Sequence, residues 1–233
     1  MFFTKPSVIF PLFLGAPLAS AIPTSELVAR TSGEVLNDYE SISLGGIPGV
    51  MSAAPITALY NQLSYSNFYA VRQTGLSTLL IKPNGNQAAA GNNVSTLTSV
   101  YAGSPVASFK PNSAYFGCVV NSDSAVSPAV SCTVEVTAYR PDGTPYADKA
   151  GCSFNGGNTL DQCTFPTTWT TVGKLSYQVI ASQILTTVGP TLGSLLGSLS
   201  AALGTVLFYF DDFNAIYTCI PGKTNAVVGG LCG

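Results

Sequence analysis

Between Glu34 and Tyr217 the chain alternates apolar and polar residues in short runs, and each run ends in a cluster of Gly, Pro, Asn, Asp or Ser. Such period-two patterning marks β-strands with one buried and one solvated face. The runs predict strands over 35–42, 64–71, 76–81, 95–101, 114–120, 131–139, 144–150, 160–165, 174–181 and 206–217. The clearest is Cys132-Thr-Val-Glu-Val-Thr-Ala-Tyr139, which sets Cys132, Val134, Val136 and Ala138 on one face and Thr133, Glu135, Thr137 and Tyr139 on the other. It runs into Arg140-Pro141-Asp142-Gly143-Thr144, turn chemistry that predicts a hairpin with the strand that follows. Short strands at this spacing, with no long amphipathic helix between them, predict an all-β fold: an antiparallel two-sheet β-sandwich, jelly-roll-like.

One stretch breaks the pattern. Residues 184–206, ILTTVGPTLGSLLGSLSAALGTV, carry no charge and place Leu192, Leu195, Leu196, Leu199 and Leu203 at helical spacing, with Pro190 able to start a helix and Gly204 to end it. They predict a short helical insertion packed on the sandwich, since a Leu-rich face is ordinarily core. The alternative is a surface that contacts a protein or a membrane. A glycolipid anchor does not fit, because Cys219 and Cys232 follow the segment instead of the chain ending in an apolar tail.

The N-terminus reads differently. Residues 1–21 combine Lys5, an apolar run over 8–18 and the triplet Ala19-Ser20-Ala21, which predicts an export signal cleaved after Ala21. Pro6, Pro11 and Pro17 interrupt it, and it is shorter than the roughly 20 apolar residues of a membrane span. Residues 22–33, polar and weakly patterned, predict a flexible lead-in, and 34–233 a single domain. Export gives meaning to the six cysteines, Cys118, Cys132, Cys152, Cys163, Cys219 and Cys232, an even set whose pairing the sequence leaves open. Neighbouring cysteines are the expected partners, each closing a loop of ~10–15 residues worth roughly 3 kcal/mol.

The chain has no histidine. That removes the base of a Ser-His-Asp triad, the usual ligands of zinc and an N-terminal histidine for copper-dependent polysaccharide cleavage. A Ser-Lys variant would have to draw on the isolated Lys82, Lys110, Lys149, Lys174 or Lys223. The loop Asn155-Gly156-Gly157-Asn158 lacks the glycine spacing and Lys-Ser/Thr pair of a phosphate-binding loop. Loss of Lys5 with the signal would leave eight basic and eleven acidic side chains, shifting the net charge from -2 to -3 with no basic run, so nucleic acid is not an expected partner. Charged residues make up only 9% of the chain, far below the usual quarter, and a neutral polar surface suits polysaccharide or wall material.

Three stretches carry a family likeness: Tyr65-Ser-Asn-Phe-Tyr69, Tyr101-Ala-Gly-Ser-Pro-Val-Ala-Ser-Phe-Lys-Pro-Asn-Ser-Ala-Tyr115 and Phe208-Tyr-Phe-Asp-Asp-Phe-Asn214. In this order they resemble secreted β-sandwich proteins of ascomycete fungi with the architecture of carbohydrate-binding modules, in which an acidic early strand pairs with a closing "FDD" strand. The resemblance implies a jelly-roll fold over roughly 35–219. The chain departs from that pattern in reading Asn37-Asp38-Tyr39-Glu40 for the acidic strand, and in its 184–206 insertion.

Sugar sites stack aromatic rings on pyranose faces and hold hydroxyls with amides, so Tyr60, Tyr65, Asn67, Tyr69, Tyr101 and Trp169 are the candidate ligand-binding residues. Trp169, in the polar run Pro166-Thr-Thr-Trp-Thr-Thr171, is the ring most expected to be exposed; most of the other tyrosines and phenylalanines belong to the core. Asp211 and Asp212 lie in an aromatic strand where a carboxylate needs a partner, and a structural calcium held by Asp212 with Asp38 or Glu40 would join the two chain ends. Adjacent residues of one strand point to opposite faces, so Asp211 and Asp212 are not by themselves a glycosidase pair. Asn93-Val94-Ser95 is a glycan acceptor, expected in a polar loop before a strand. These features point to a secreted, non-catalytic protein that binds carbohydrate or cell wall. The alternatives are an interaction or effector-like protein working through 184–206, and a weak glycoside hydrolase.

Overall fold

The computed structural model describes residues 32–44, 52–56, 59–72, 85, 87–120, 129–182, 206–223 and 232. The expected signal segment, most of the lead-in, the strand at 76–81 and all of the helical insertion except Val206 lie outside them. Within them the chain is all β and antiparallel: β1 (Ser32–Asn37), β2 (Ser52–Pro55), β3 (Ser64–Arg72), β4 (Gln87–Thr98), β5 (Val106–Val120), β6 (Cys132–Tyr139), β7 (Pro145–Phe154), β8 (Asp161–Thr164), β9 (Lys174–Ser182) and β10 (Val206–Cys219). The small β2 (Ser-Ala-Ala-Pro) has no alternation and escaped the sequence reading.

The fold differs from the expected pair of separate sheets. Its strands form one hydrogen-bonded order, β7-β6-β9-β4-β10-β5-β8, with β1 added to β10, β3 to β4 and β2 to β3. The sheet becomes two layers because β4 changes partner along its length. Ala89, Ala90 and Gly91 lie opposite β10, whereas Val94–Thr98 lie opposite β9. Gly91 sits where the strand turns away, and a Cβ there would fall 2.4 Å from the Phe208 ring. The layers then close on each other, nearly as a barrel: Tyr177 of β9 packs against Phe208 and Phe210 of β10 and Phe116 of β5, at centroid distances of 5.9, 5.1 and 6.1 Å.

The FDD strand shows how the core is filled. Opposite β5, Asp211 pairs with Tyr115 and Asn214 with Ser113, so Asp212 and Phe213 together face one residue in a β-bulge. Asp212 takes the left-handed conformation (φ 46°), which Asp tolerates better than most residues. The extra residue resets the alternation, and both Phe210 and Phe213 point inward, 5.5 Å apart and fully buried.

All three expected disulfides are present: Cys118–Cys132, Cys152–Cys163 and Cys219–Cys232. The second joins β7 to β8, the two ends of the strand order. The expected β6–β7 hairpin is also there, with Gly143 at φ 87° and the Asp142 carboxylate accepting the Thr144 N–H at 2.9 Å. The Thr144 hydroxyl and amide together hold the Asp142 pKa below its usual value.

Candidate functional site

The segment after β1 and the hairpin before β3 together build a concave site. Tyr60 and Leu63 exchange two backbone hydrogen bonds of 3.0 Å across Asn61 and Gln62, both at positive φ (45° and 64°), the geometry of a type I′ turn. This tight turn fixes the Tyr60 ring, which stacks on Tyr39 at 5.3 Å and 22°. Tyr39 is itself held by Tyr65 and Phe210. Beside Tyr60 opens a cavity of about 230 Å³ lined by Ile42, Ser43, Ala54, Pro55, Ile56, Leu59 and Tyr60. The Tyr60 hydroxyl donates to Asp38 Oδ1 at 3.1 Å and accepts from Ser41 Oγ at 3.3 Å. Partial burial raises the Tyr60 pKa; the Ser41 contact opposes this, and the Asp38 carboxylate adds to it.

The other side of the same hairpin holds Cys232. Gln62, almost fully buried, donates from Nε2 to the Cys232 carbonyl (3.1 Å) and accepts the Cys232 N–H at Oε1 (3.2 Å).

Of the aromatic candidates, Tyr69 is 40% exposed and stands opposite Pro55 in the β2–β3 ladder, on the same face as that cavity-lining residue. Tyr65 is buried behind Tyr39, with the two hydroxyls 3.3 Å apart, and is core instead of platform. Tyr101 is half-buried and donates to the Gln62 carbonyl at 3.1 Å; burial raises its pKa, and Ser104 opposes the rise. Asn67 occupies the β3 bulge at φ 59°, with its amide donating to the Val94 carbonyl at 2.9 Å. Trp169 is corrected outright: it is 0% exposed and stacks on Phe165 at 5.8 Å and 23°. The surrounding threonines take the solvent, and the indole is the loop's anchor in the core.

The acidic candidates separate into two sets of contacts. The β1–β10 ladder ends at Asn37 opposite Phe213, so Asp38 and Asp212 follow at the same end of that strand pair. Asp38 is engaged by Tyr60. Glu40 accepts the Gln87 N–H at Oε1 (2.6 Å), and its carbonyl accepts Gln87 Nε2 (2.8 Å), fixing the 38–44 turn against β4. Asp211 is fully buried and accepts the Asp212 N–H at 3.0 Å. Among the described residues no group of three acidic or other metal-ligating side chains converges. Asn93 lies within β4 instead of a loop, between Gly91 and Val94, where the ladders to β3 and β9 are interrupted. Its neighbour Ser95 donates to the Asn67 carbonyl at 2.8 Å.

The outer face of β6, β9, β4 and β3 was legible only in part. Register aligns Thr137, Ser176, Thr96 and Ser66 in one row across the four strands, and Tyr139, Lys174, Thr98 and Ser64 in a second. The inward residues between them, Val136, Ala138, Leu175, Tyr177 and Leu97, are fully buried.

The chain is similar to a DUF4465 family protein from Bacteroides caccae at 12% identity and TM-score 0.47, over 79% of this chain and 99% of that one. It is similar to a family 29 carbohydrate-binding module at 8% identity and TM-score 0.30, over 84% and 99%. A third likeness, at 12% identity and TM-score 0.30 over 76% and 29%, is to the joined carbohydrate-binding and hydrolase modules of a Clostridium thermocellum endo-1,4-β-D-xylanase complexed with xylohexaose. No family model and no curated protein sequence matches the chain.

Proposed function

We propose that this is a secreted, non-catalytic carbohydrate-binding protein whose primary ligand site is the Tyr60 cavity. One observation carries the reading: a tyrosine ring lines a cavity of about 230 Å³, and its hydroxyl is already tied to a carboxylate and a serine. The volume is below the ~300–1,000 Å³ of drug-sized sites and suits one sugar ring or the end of a glycan chain. The apolar lining from Ile42, Pro55 and Leu59 matches the C–H face of a pyranose. Ser43 supplies a hydroxyl from the lining, Asp38 and Ser41 hold the Tyr60 hydroxyl in place, and Tyr69 extends the aromatic surface beyond Pro55.

The test is binding of soluble chito- and gluco-oligosaccharides to the folded, disulfide-intact protein by calorimetry. Tyr60→Ala is expected to weaken binding at least tenfold, with Tyr60→Phe intermediate because it keeps the ring and loses the hydroxyl. Unchanged affinity in both variants refutes the site. Turnover of any glycoside abolished by Asp212→Asn would move the reading to a hydrolase; liposome binding lost on deleting 184–206 would move it to membrane contact.

A further inference from the structure

The outer face of β6, β9, β4 and β3 has no role in the cavity, yet its composition is specific. Thr137, Ser176, Thr96 and Ser66 stand side by side on adjacent strands, each partly or fully exposed. Strand spacing of ~4.8 Å sets them in a line of roughly 14 Å. Their side chains are short, and β-branched Thr is restricted at χ1, so the hydroxyls are held in place with little rotamer entropy left to lose on contact. The flanking rows bring Gln178 and Ser64 as further hydrogen-bonding groups, and Val94 and Ile180 as apolar steps, while the Thr98 hydroxyl is spent on the Gly173 carbonyl. Charge on this face is sparse: Lys149 pairs with Glu135 at 2.7 Å, and Lys174 keeps its single positive charge with the ammonium 4.0 Å above the Tyr139 ring. The result is a regularly spaced row of hydroxyls on a face with one unneutralised charge, at Lys174.

Such a face does not suit nucleic acid, which needs clustered cations, or a bilayer, which needs an apolar or basic surface. A protein interface core would call for a cluster of aromatic or Arg anchors, and here Tyr139 is covered by Lys174, which leaves Tyr69 on β3 as a single exposed ring. Its complement is a planar, uncharged, hydroxyl-bearing solid. Resting on the carbohydrate reading above, we infer that this face is a second contact surface, which lays the protein against the surface of an insoluble, uncharged polysaccharide while the Tyr60 cavity takes a single chain. Tyr69, outward on β3 and opposite Pro55, lies between the two.

The experiment measures retention of the whole mature protein on chitin powder and on insoluble β-glucan, alongside its affinity for soluble hexasaccharides of the same sugars. The double substitution Thr96→Lys with Ser176→Lys should cut retention on the solid at least tenfold and leave hexasaccharide affinity unchanged, and wild-type retention should not depend on salt, as expected for a neutral partner. Ser66→Lys, at a fully exposed position, reports the same loss in smaller degree should the double variant melt early. Retention that survives these substitutions, or wild-type protein that binds hexasaccharides and ignores both solids, overturns the proposal. Retention lost in these variants but unaffected by Tyr60→Ala, with no hexasaccharide binding, would refute the cavity and keep the face.

Discussion

Two buried groups show how little the local sequence says about a single side chain. The Tyr177 hydroxyl and the Trp169 indole N–H are both buried and find no hydrogen-bond partner among the described residues. An unmet buried donor costs about 1–3 kcal/mol. Tyr177→Phe keeps the ring contacts and removes that cost, so it should stabilise the fold by about 1 kcal/mol, read as a higher denaturant midpoint at unchanged m-value; a drop in midpoint would contradict it. Trp169→Ala should instead cost about 3–5 kcal/mol through the void left against Phe165 and Tyr146. The threonines around Trp169 made it look exposed, because loop residues have no period from which an inward direction can be read. Asp212 is another such residue: nothing in Phe-Asp-Asp-Phe announces the left-handed bulge that lets both phenylalanines turn inward.

The strands themselves were written plainly in the chain. Along 132–139 every second residue is buried, as period two requires, and the turn chemistry of 140–144 fixes where the next strand begins. What period two leaves open is the partner. Ala88, Ala89, Ala90 and Gly91 carry no alternation, and it is this small-residue half of β4 that passes between the layers. Gly91→Ala should therefore be costly, by about 1–3 kcal/mol, since its Cβ would meet the Phe208 ring at 2.4 Å and Ser95 Oγ at 2.5 Å; thermal melting checks it, and a neutral result would mean that β4 does not turn there. The Tyr60–Leu63 hairpin couples two tasks in one element. Gln62→Ala leaves the Cys232 N–H and carbonyl without their side-chain partner, and should give faster amide exchange at Cys232 before global unfolding, with a loss of about 1–3 kcal/mol.

At the scale of the whole molecule, the interior is a continuous stack of rings, several of them tyrosines cut off from water. Burial above all raises the pKa of Tyr39, Tyr65, Tyr177 and Tyr217, opposed in part by the Tyr39 hydrogen bond at Tyr65 and the Asn37 hydrogen bond at Tyr217, and burial alone pushes Tyr209 up to about 12. A tyrosine that holds its proton more tightly when folded contributes stability that is complete below its unfolded value of about 10 and is lost as pH climbs toward the folded one. Stability should thus be flat through neutral pH and fall steeply above pH ~10, with the buried phenolates appearing together in one cooperative step of their ultraviolet absorbance. Gradual, independent titration of all the tyrosines would contradict so closed an interior. The cavity and the hydroxyl lattice were beyond the sequence for a related reason: each depends on residues from separate strands meeting, and register is set by long-range pairing that no single segment carries.

One covalent bond then takes on a meaning beyond its loop. Cys152–Cys163 ties the first strand of the hydrogen-bonded order to the last, where an open sheet would offer two rims to fraying. Peeling of the fabric from either rim, by a protease or by mechanical tension, is checked at that seam, so the molecule should wear out slowly for as long as this bridge stays oxidised.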